Sequence, residues 1–188
     1  MNWTFFPTVL GTGSTTLAQH SGGQVTNNFN VSAKTGEVLL AFRLQPNSGT
    51  TTYNSITFAL QGISNINQTD FSNFRLVVDV NSNRVFDGSD VEVGGVGDLD
   101  WQNNSATLGF YESFIATTSR NCLVIADWVP LANGSFMSIS LNTSGIYASD
   151  STGAQTIFGQ TIRLQHHRNN RGGGGSGASI GDPAPAGD

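Results

Sequence analysis

Short runs in which apolar and polar residues alternate recur along most of the chain and are separated by Gly, Asn, Ser and Pro. In residues 37–45, Val38, Leu40, Phe42 and Leu44 form one apolar face, and residues 136–142 alternate in the same way. A period of two is typical of strands with one covered face. The pattern predicts about nine strands, within residues 24–32, 37–45, 54–62, 73–80, 90–95, 106–113, 121–129, 135–144 and 155–165.

No segment has the apolar spacing of an amphipathic helix of twelve residues, which argues against parallel βαβ units. Hydrophobic residues make up 37% of the chain and charged residues only 11%, a balance that suits many turns between short strands. We therefore predict one all-β domain, an antiparallel sandwich of the Ig-like or jelly-roll type, over residues 16–165. Residues 1–15 are expected to hold an N-terminal strand and a flexible connection, and residues 166–188 a Gly/Pro-rich tail or linker.

Charge and apolar content exclude several classes of partner. The net charge is −5 with eight basic residues, which leaves no basic surface for nucleic acid. No apolar run approaches the length of about 18 residues that a membrane span needs. The polar, Lys-poor composition favours an extracellular or cell-surface location.

Cys122 is the one cysteine, so it cannot form an internal disulfide, and its apolar surroundings predict a buried strand thiol.

Six of the thirteen acidic residues lie between positions 79 and 100, within and after one predicted hairpin. Counted from Asp79, oxygen-bearing side chains stand at positions 1, 3, 5, 9 and 12, and position 7 can offer a backbone carbonyl. This is the ligand spacing of an EF-hand-type calcium loop, although Arg84 replaces the usual Gly at position 6 and Asp replaces Glu at position 12. The predicted calcium ligands are Asp79, Asn81, Asn83, Val85, Asp87 and Asp90. The alternative is a solvated Asn/Asp-rich turn.

The order of strands around this loop resembles an Ig-like or cohesin-like β-sandwich module of large bacterial surface and secreted proteins. The residues that carry the resemblance are Leu76 and the acidic and amide residues of the loop, in the pattern L-x-x-D-x-N-x-N, with Asp87 and Asp90 following. The spacing is also similar to that of a dockerin loop, but here a single loop is flanked by strands. The resemblance implies a structural or adhesive role with bound Ca²⁺ and no catalytic residues.

An enzyme is not expected. Asp98 and Asp100 lie beside Trp101, but no second acidic cluster faces them, so a second calcium site or a solvated loop is favoured over a glycosidase pair. The adjacent pair His166 and His167 would point to opposite faces of a strand, which disfavours a metal site. Carbohydrate binding is the alternative function, with Trp101 and Tyr111 as possible stacking residues. Trp128, in an apolar run, is expected in the core.

The N-terminal residues suggest assembly. The uncharged, β-prone segment "WTFFPTVL" precedes a Gly/Thr-rich stretch at residues 11–16. Such a segment can complete the sheet of a neighbouring subunit, and Trp3, Phe5, Phe6 and Val9 are the possible assembly residues. Pairing within its own sandwich is favoured from the sequence, and assembly is the alternative. The sequence thus predicts a calcium-stabilised structural or adhesive surface module, whose partners are other subunits or surface components, itself or glycans.

Overall fold

The computed structural model describes residues 13–29, 32–47 and 49–167. This part of the chain is an all-β sandwich of two sheets, as predicted. No helix in it is long and apolar enough to cross a membrane. Two single 3-10 turns lie at Gln68–Asp70 and Thr143–Gly145. The strands are β1 Ser14–Gln19, β2 Lys34–Pro46, β3 Thr51–Ser64, β4 Phe71–Val78, β5 Val91–Val96, β6 Asp98–Gln102, β7 Ser105–Phe110, β8 Phe114–Ala116, β9 Arg120–Trp128, β10 Phe136–Leu141, β11 Ile146–Asp150, β12 Gly153–Ala154, β13 Thr156–Gly159 and β14 Ile162–His167.

The first sheet, sheet A, has six strands in the order β13-β1-β2-β9-β4-β5. All its pairs are antiparallel except the parallel pair of β1 with β13. The second sheet, sheet B, follows the path β12-β11-β3-β10-β14, and β7 and β8 also pair with the long strand β3. Strand β6 extends sheet B by pairing with β7.

The main core lies between the sheets and is built from their inward-facing residues. Phe42 of sheet A meets Phe58 of sheet B edge to face, with ring centroids 5.7 Å apart, and Phe58 meets Phe110 in the same way. Trp128 is 2% exposed, which confirms its predicted place in the core. Cys122 is fully buried as predicted, and burial raises the pKa of its thiol to about 12.

A smaller apolar cluster lies outside the main core and holds Val38, Ala41, Val77, Leu123 and Ile125. Its strands β2, β4 and β9 are neighbours in sheet A, so the cluster is on the outer face of that sheet. We expected Val38 to share a face with Leu40, Phe42 and Leu44, and this is wrong. The register of β2 shifts between Val38 and Leu40, and the extra residue at this bulge reverses the alternation.

Residues 24–29 are not a strand, contrary to the prediction. They run beside β2, and their side-chain amides take the place of a ladder. The Gln24 amide donates to the carbonyl of Ala41 and accepts from its N–H, at 2.9 and 2.8 Å. Asn28 Nδ2 donates to the Val38 carbonyl at 3.2 Å. Side-chain amides therefore bond to the backbone groups on this edge of β2 that the backbone of a neighbouring strand would otherwise pair.

The boundaries of the sandwich also differ from the sequence-based ones. Strand β1 begins at Ser14, inside the stretch expected to be a flexible connection, and β14 continues to His167. Residues 155–165, expected as one strand, form β13 in sheet A and β14 in sheet B. Between these two strands the chain crosses from sheet A to sheet B and so connects the two sheets at one side of the sandwich.

Candidate functional site

The candidate site is the loop of residues 79–90, which connects two adjacent strands of sheet A. Asp79 directly follows β4, and Asp90 directly precedes β5. The N–H of Asp79 donates to the carbonyl of Asn121 on β9 at 2.9 Å, so the sheet fixes the backbone where the loop begins. Asp79 is 2% exposed, in contrast to Asn81 and Asn83, which are exposed.

The first half of the loop is organised by side-chain oxygens that accept hydrogen bonds from backbone N–H groups a few residues further on. Asp79 accepts from the N–H of Asn83 through Oδ1 at 3.1 Å and from that of Arg84 through Oδ2 at 2.7 Å. Asn81 Oδ1 accepts from Asn83, and Asn83 Oδ1 accepts from Val85. These are the local turns that Asp and Asn favour, and they fix successive side chains against the backbone of the loop.

The second half of the loop closes back on the first. Asp90 accepts from the N–H of Val80 and from that of Asp87, both at 3.1 Å. Asp87 Oδ2 accepts from the side-chain amides of Asn81 and Asn83, and its Oδ1 accepts from Ser89. These bonds, those of Ser89 first, lower the pKa of the Asp87 carboxyl well below its usual range. Asp87 therefore stays ionised, although its neighbourhood is acidic.

Arg84, at the position where an EF-hand-type loop has Gly, adopts the left-handed conformation with φ of 63°. The turn that Gly usually provides is thus made by Arg, at a backbone cost of about 1–2 kcal/mol. The guanidinium group offsets part of this cost because it donates from Nη1 to the carbonyl of Gln24 at 2.9 Å. A Cβ on Gly22 would lie 3.0 Å from Arg84 Nε, so Gly at position 22 lets the two segments approach.

His20 joins the loop from the end of β1. Its Nε2 is 3.0 Å from Asp79 Oδ2, and neither side chain is exposed. The N–H of Gly22 donates to Nδ1 at 3.0 Å, so Nδ1 carries no proton and Nε2–H donates to the Asp79 carboxylate. Burial lowers the pKa of His20 despite the neighbouring carboxylate, which acts in the opposite direction. The ring is therefore neutral and oriented.

The side chain of Asn121 adds a second connection between these segments. Its Nδ2 donates to Ser82 Oγ in the loop at 2.8 Å and to Ser21 Oγ at 2.6 Å. Its Oδ1 accepts from the N–H of Ser21. With His20 and Arg84, Asn121 therefore fastens residues 20–24, which we call the strap, to the 79–90 loop.

The loop also covers the outer apolar cluster of sheet A. Phe86 packs against this cluster, and Val25, one residue beyond the strap, packs on it as well. The Arg75 guanidinium carbon lies 4.5 Å from the centre of the Phe86 ring, within the range of a cation–π contact. The loop is therefore part of the packed structure of sheet A and not a projecting hairpin turn.

The donor set is suited to a hard cation. All the side-chain oxygens are carboxylate or amide oxygens, which are the ligands that Ca²⁺ takes, and no nitrogen or sulfur ligand is among them. Across residues 13–29, 32–47 and 49–167, no three His, Cys, Asp or Glu side chains converge closely enough to hold a metal by themselves. A cation here would therefore also need the amide oxygens of Asn81 and Asn83. These amides direct their nitrogens at Asp87, so cation binding requires them to rotate.

The other residues singled out in the sequence lie apart from the loop. Trp101 is partly buried against the main core, whereas Tyr111 is 59% exposed and lies across Gly109. In the ladder Trp101 is opposite Ala106, a core residue, and Gly109 is opposite Asp98 on the outward side. The two rings thus lie on opposite faces of sheet B and do not form one stacking platform.

The remaining candidates are acidic residues of β6, a histidine of β14 and residues of the N-terminal segment. Asp98 and Asp100 are exposed on β6, where Gln102 donates to Asp100. His166 is buried, bonds through Nε2 to the carbonyl of Leu39 at 2.7 Å and stacks on Phe29, which accounts for its position without a metal. The possible assembly residues Trp3, Phe5, Phe6 and Val9 lie outside the described residues.

Sequence reasoning missed the residues that hold the loop in place. His20, Asn121 and Phe86 are dictated by tertiary contacts, and His20 is 59 positions from its partner Asp79. No local pattern marks such a residue. Of the residues that hold the loop to the strap, only Arg84 was marked by the sequence, as a departure from the usual Gly.

Comparisons with known proteins show a distant likeness of fold. No protein-family model and no curated protein matches the chain. Among solved structures it is similar to AvmM, which catalyses macrocyclization in alchivemycin A biosynthesis, at 8% identity and a TM-score of 0.36, over 86% of this chain and 91% of that one. It is similar to CaCohA2 from Clostridium acetobutylicum at 7% identity and a TM-score of 0.33, over 86% and 94% of the chains.

A third similar structure is ACE19, the collagen-binding subdomain of the Enterococcus faecalis surface protein ACE. Identity is 9% and the TM-score is 0.30, over 89% of this chain and 100% of that one. TM-scores this low assign neither a family nor a function. The β-sandwich is defined by the strand pairings of the chain itself.

Proposed function

We propose that the protein is a calcium-stabilised, non-enzymatic structural or adhesive module that acts outside the cell. The observation that carries this proposal is the organisation of the 79–90 loop. Five oxygen-bearing side chains at calcium-loop spacing accept hydrogen bonds from the loop's own backbone, which fixes the position of each side chain, and the Asn81 and Asn83 amides would rotate to turn their oxygens to the ion. Preorganisation of this kind lowers the entropy cost of binding.

The ligands would be the side chains of Asp79, Asn81, Asn83, Asp87 and Asp90 and the backbone carbonyl of Val85. The bound ion would supply positive charge among the three carboxylates, and the chain would supply the position of each oxygen. With three carboxylates and two amides, we expect an affinity of about 10⁻⁴ to 10⁻³ M, in the extracellular range. Such a site is a structural staple and not a sensor of cytosolic calcium.

The expected consequence of binding is stability of the outer face of sheet A. The loop carries Phe86, which covers the outer cluster, and Asp79, which receives His20 of the strap. A cation that holds the loop therefore also holds the strap and the cluster beneath it. At about 10 mM Ca²⁺ the expected affinity adds about 1.4–2.7 kcal/mol to the free energy of unfolding by mass action.

Titration calorimetry and thermal unfolding with Ca²⁺ and then with chelator test this proposal. We expect heat on binding and a rise in Tm of about 3–11 °C. Asp87→Asn should weaken both effects, because it removes one ligand charge. The matched control Asp100→Asn changes an exposed carboxylate on β6 and should leave both unaltered. Absence of binding heat together with an unchanged Tm in the wild type would exclude the calcium role.

Self-assembly by strand addition is a second candidate, favoured by the position of β1. This strand is in sheet A from its first residue, Ser14, so residues 11–13 alone separate the uncharged segment "WTFFPTVL" from a strand of the sheet in the sequence. At the junction, a Cβ on Gly13 would require the Asp150 and Gln155 side chains to move. Light scattering after size exclusion tests assembly: oligomers that Phe5→Lys abolishes support it, and a monomer at all concentrations contradicts it.

A further inference from the structure

The fold has several strand edges, and most of those that the structure describes are protected against pairing with another chain. Strand β6 carries Asp98 and Asp100, and charge on an edge strand disfavours pairing. Strand β5 carries Glu92, and its Gly94 carbonyl already accepts from the N–H of Glu112. Neither edge is therefore suited to receive an uncharged strand.

Three further edges are short or covered. Strands β8 and β12 have three and two residues, too few to template a new strand. Strand β14 carries Arg163, and His166 on the same strand bonds to the Leu39 carbonyl of β2, so β14 lies against sheet A. Short and covered edges are common means of preventing association.

Strand β13 is also short, with four residues, but three of the four are exposed. It lies at the end of sheet A, and among residues 13–29, 32–47 and 49–167 it pairs with β1 alone. No charged residue occurs from Ser151 to Ile162, and Phe158 in the strand is 54% exposed. Ile157 packs against the main core, which fixes the strand in place. An uncharged, fixed edge with an exposed aromatic side chain favours strand addition.

The backbone of β13 presents hydrogen-bonding groups away from the sheet. The N–H of Thr156 donates to the Gly13 carbonyl at 3.4 Å and therefore faces β1. Because successive residues of a strand point their N–H and C=O groups to opposite sides, those of Ile157 face away from β1. No strand of the described chain lies on that side of β13.

A cavity of about 230 Å³ adjoins the end of this edge. The pairing of β13 with β1 ends where Gly159 is opposite Leu17, and β1 continues to Gln19. The cavity lies between this end of β1 and residues 159–162, and its size suits one large side chain. The cavity is therefore on the side of β13 that β1 occupies, and recognition at the open edge rests on backbone pairing, which gives affinity.

We propose that the β13 edge is the acceptor for the N-terminal segment of a second copy of this chain, residues 3–9. This inference rests on the proposed assembly and names its acceptor. The segment WTFFPTV is uncharged like the edge and carries three aromatic side chains. Twelve residues precede Gly13 and span at most about 40 Å when extended, enough to reach a neighbouring molecule. Pro7 lacks an N–H and fits where the residue faces away from β13.

Crosslinking between two differently tagged full-length variants tests the pairing. One variant carries Phe6→Cys and the other carries Phe158→Cys, so a mixed disulfide can form only between two molecules. The native Cys122 is fully buried and does not compete. We expect the mixed disulfide to form at least tenfold more than with Tyr147→Cys, a control residue of similar exposure, 57%, on β11.

A charge on the edge provides the second arm of the experiment. Phe158→Lys should abolish the oligomers that wild-type protein forms, whereas Tyr147→Lys should not, and circular dichroism confirms that both variants fold. Wild-type oligomers that Phe158→Lys leaves intact, with no mixed disulfide, overturn the β13 assignment while assembly itself stands. Wild-type protein that remains monomeric overturns assembly and this inference together. A variant that carries both Phe6→Cys and Phe158→Cys tests pairing within one molecule. If it forms an intramolecular disulfide and the mixed disulfide is absent, the segment pairs with β13 of its own chain, and this outcome also overturns the β13 assignment.

Discussion

His20 Nε2 lies 3.0 Å from Asp79 Oδ2, and the side chains of both residues are buried. This hydrogen bond connects the end of β1 to the first residue of the 79–90 loop, across 59 positions of sequence. It occupies one oxygen of the most buried carboxylate in the loop and fixes the orientation of that group. The candidate cation site is therefore held by a residue that is not itself a predicted ligand.

Replacement of His20 should destabilise the fold. His20→Ala leaves a cavity and removes the side-chain donor to a buried carboxylate, so we expect a loss of about 2–4 kcal/mol in the free energy of unfolding. Chemical denaturation measures this loss. Gln19→Ala, at an exposed neighbouring position, should change stability by less than about 0.5 kcal/mol. An equally small effect at His20 would contradict the role given to the pair.

The left-handed backbone at Arg84 predicts a difference between two substitutions. Arg84→Gly and Arg84→Ala both lose the bond to the Gln24 carbonyl, but only Gly adopts a φ of 63° without strain. The Gly variant should therefore be more stable than the Ala variant by about 1–2 kcal/mol. Urea unfolding of the two proteins measures the difference, and equal stabilities would show that position 84 carries no backbone strain.

Phe86 should matter for stability far more than its neighbour. Phe86→Ala uncovers the outer cluster of sheet A and removes the ring beneath the Arg75 guanidinium, for an expected loss of about 1–3 kcal/mol. Val85→Ala is the control because Val85 is 58% exposed, and its effect should stay below about 0.5 kcal/mol. Similar losses at both positions would mean that the loop does not cover the cluster.

Asp150 should make stability depend on pH in the acid range. A hydrogen bond from the Thr152 hydroxyl, followed by weaker ones, lowers the pKa of this carboxyl from 3.8 to about 2. Because the pKa of this carboxyl is lower in the folded state than in the unfolded state, the carboxylate contributes its full stability at pH values above the unfolded-state pKa. This contribution is lost as the pH falls through the folded-state pKa.

The comparison with Asp150→Asn isolates this contribution. The difference in unfolding free energy between wild type and variant should be constant above about pH 5 and shrink towards about pH 2. Urea unfolding at several pH values measures it. A difference that does not change over this range would contradict the hydrogen bonding assigned to Asp150.

Local patterns predicted the fold class well because alternation is itself a local property. Met137, Ile139 and Leu141 face the core as their spacing indicates, and the predicted strand at 73–80 corresponds to β4. Failures occurred where tertiary contacts override the pattern. The bulge in β2 moves Val38 to the outer face, and side-chain amides keep residues 24–29 beside β2 without forming a strand.

The candidate site also combines residues that a local pattern predicts with residues that only tertiary contacts bring to the loop. The spacing of Asp and Asn in the loop was readable from the sequence, since each side chain bonds to a backbone group a few residues away. His20 and Asn121 were not, because distant strands bring them to the loop. The orientation of the Asn81 and Asn83 amides towards Asp87 was equally beyond sequence reasoning.

A crystal structure determined in about 10 mM CaCl₂ tests the central claim most directly. The account predicts one strong peak of density in the 79–90 loop, about 2.3–2.6 Å from side-chain oxygens of Asp79, Asn81 and Asp87 among the six expected ligands. It also predicts that the Asn81 amide has turned its oxygen to the ion. Density without such a peak, with Asn81 and Asn83 still donating to Asp87, would contradict it.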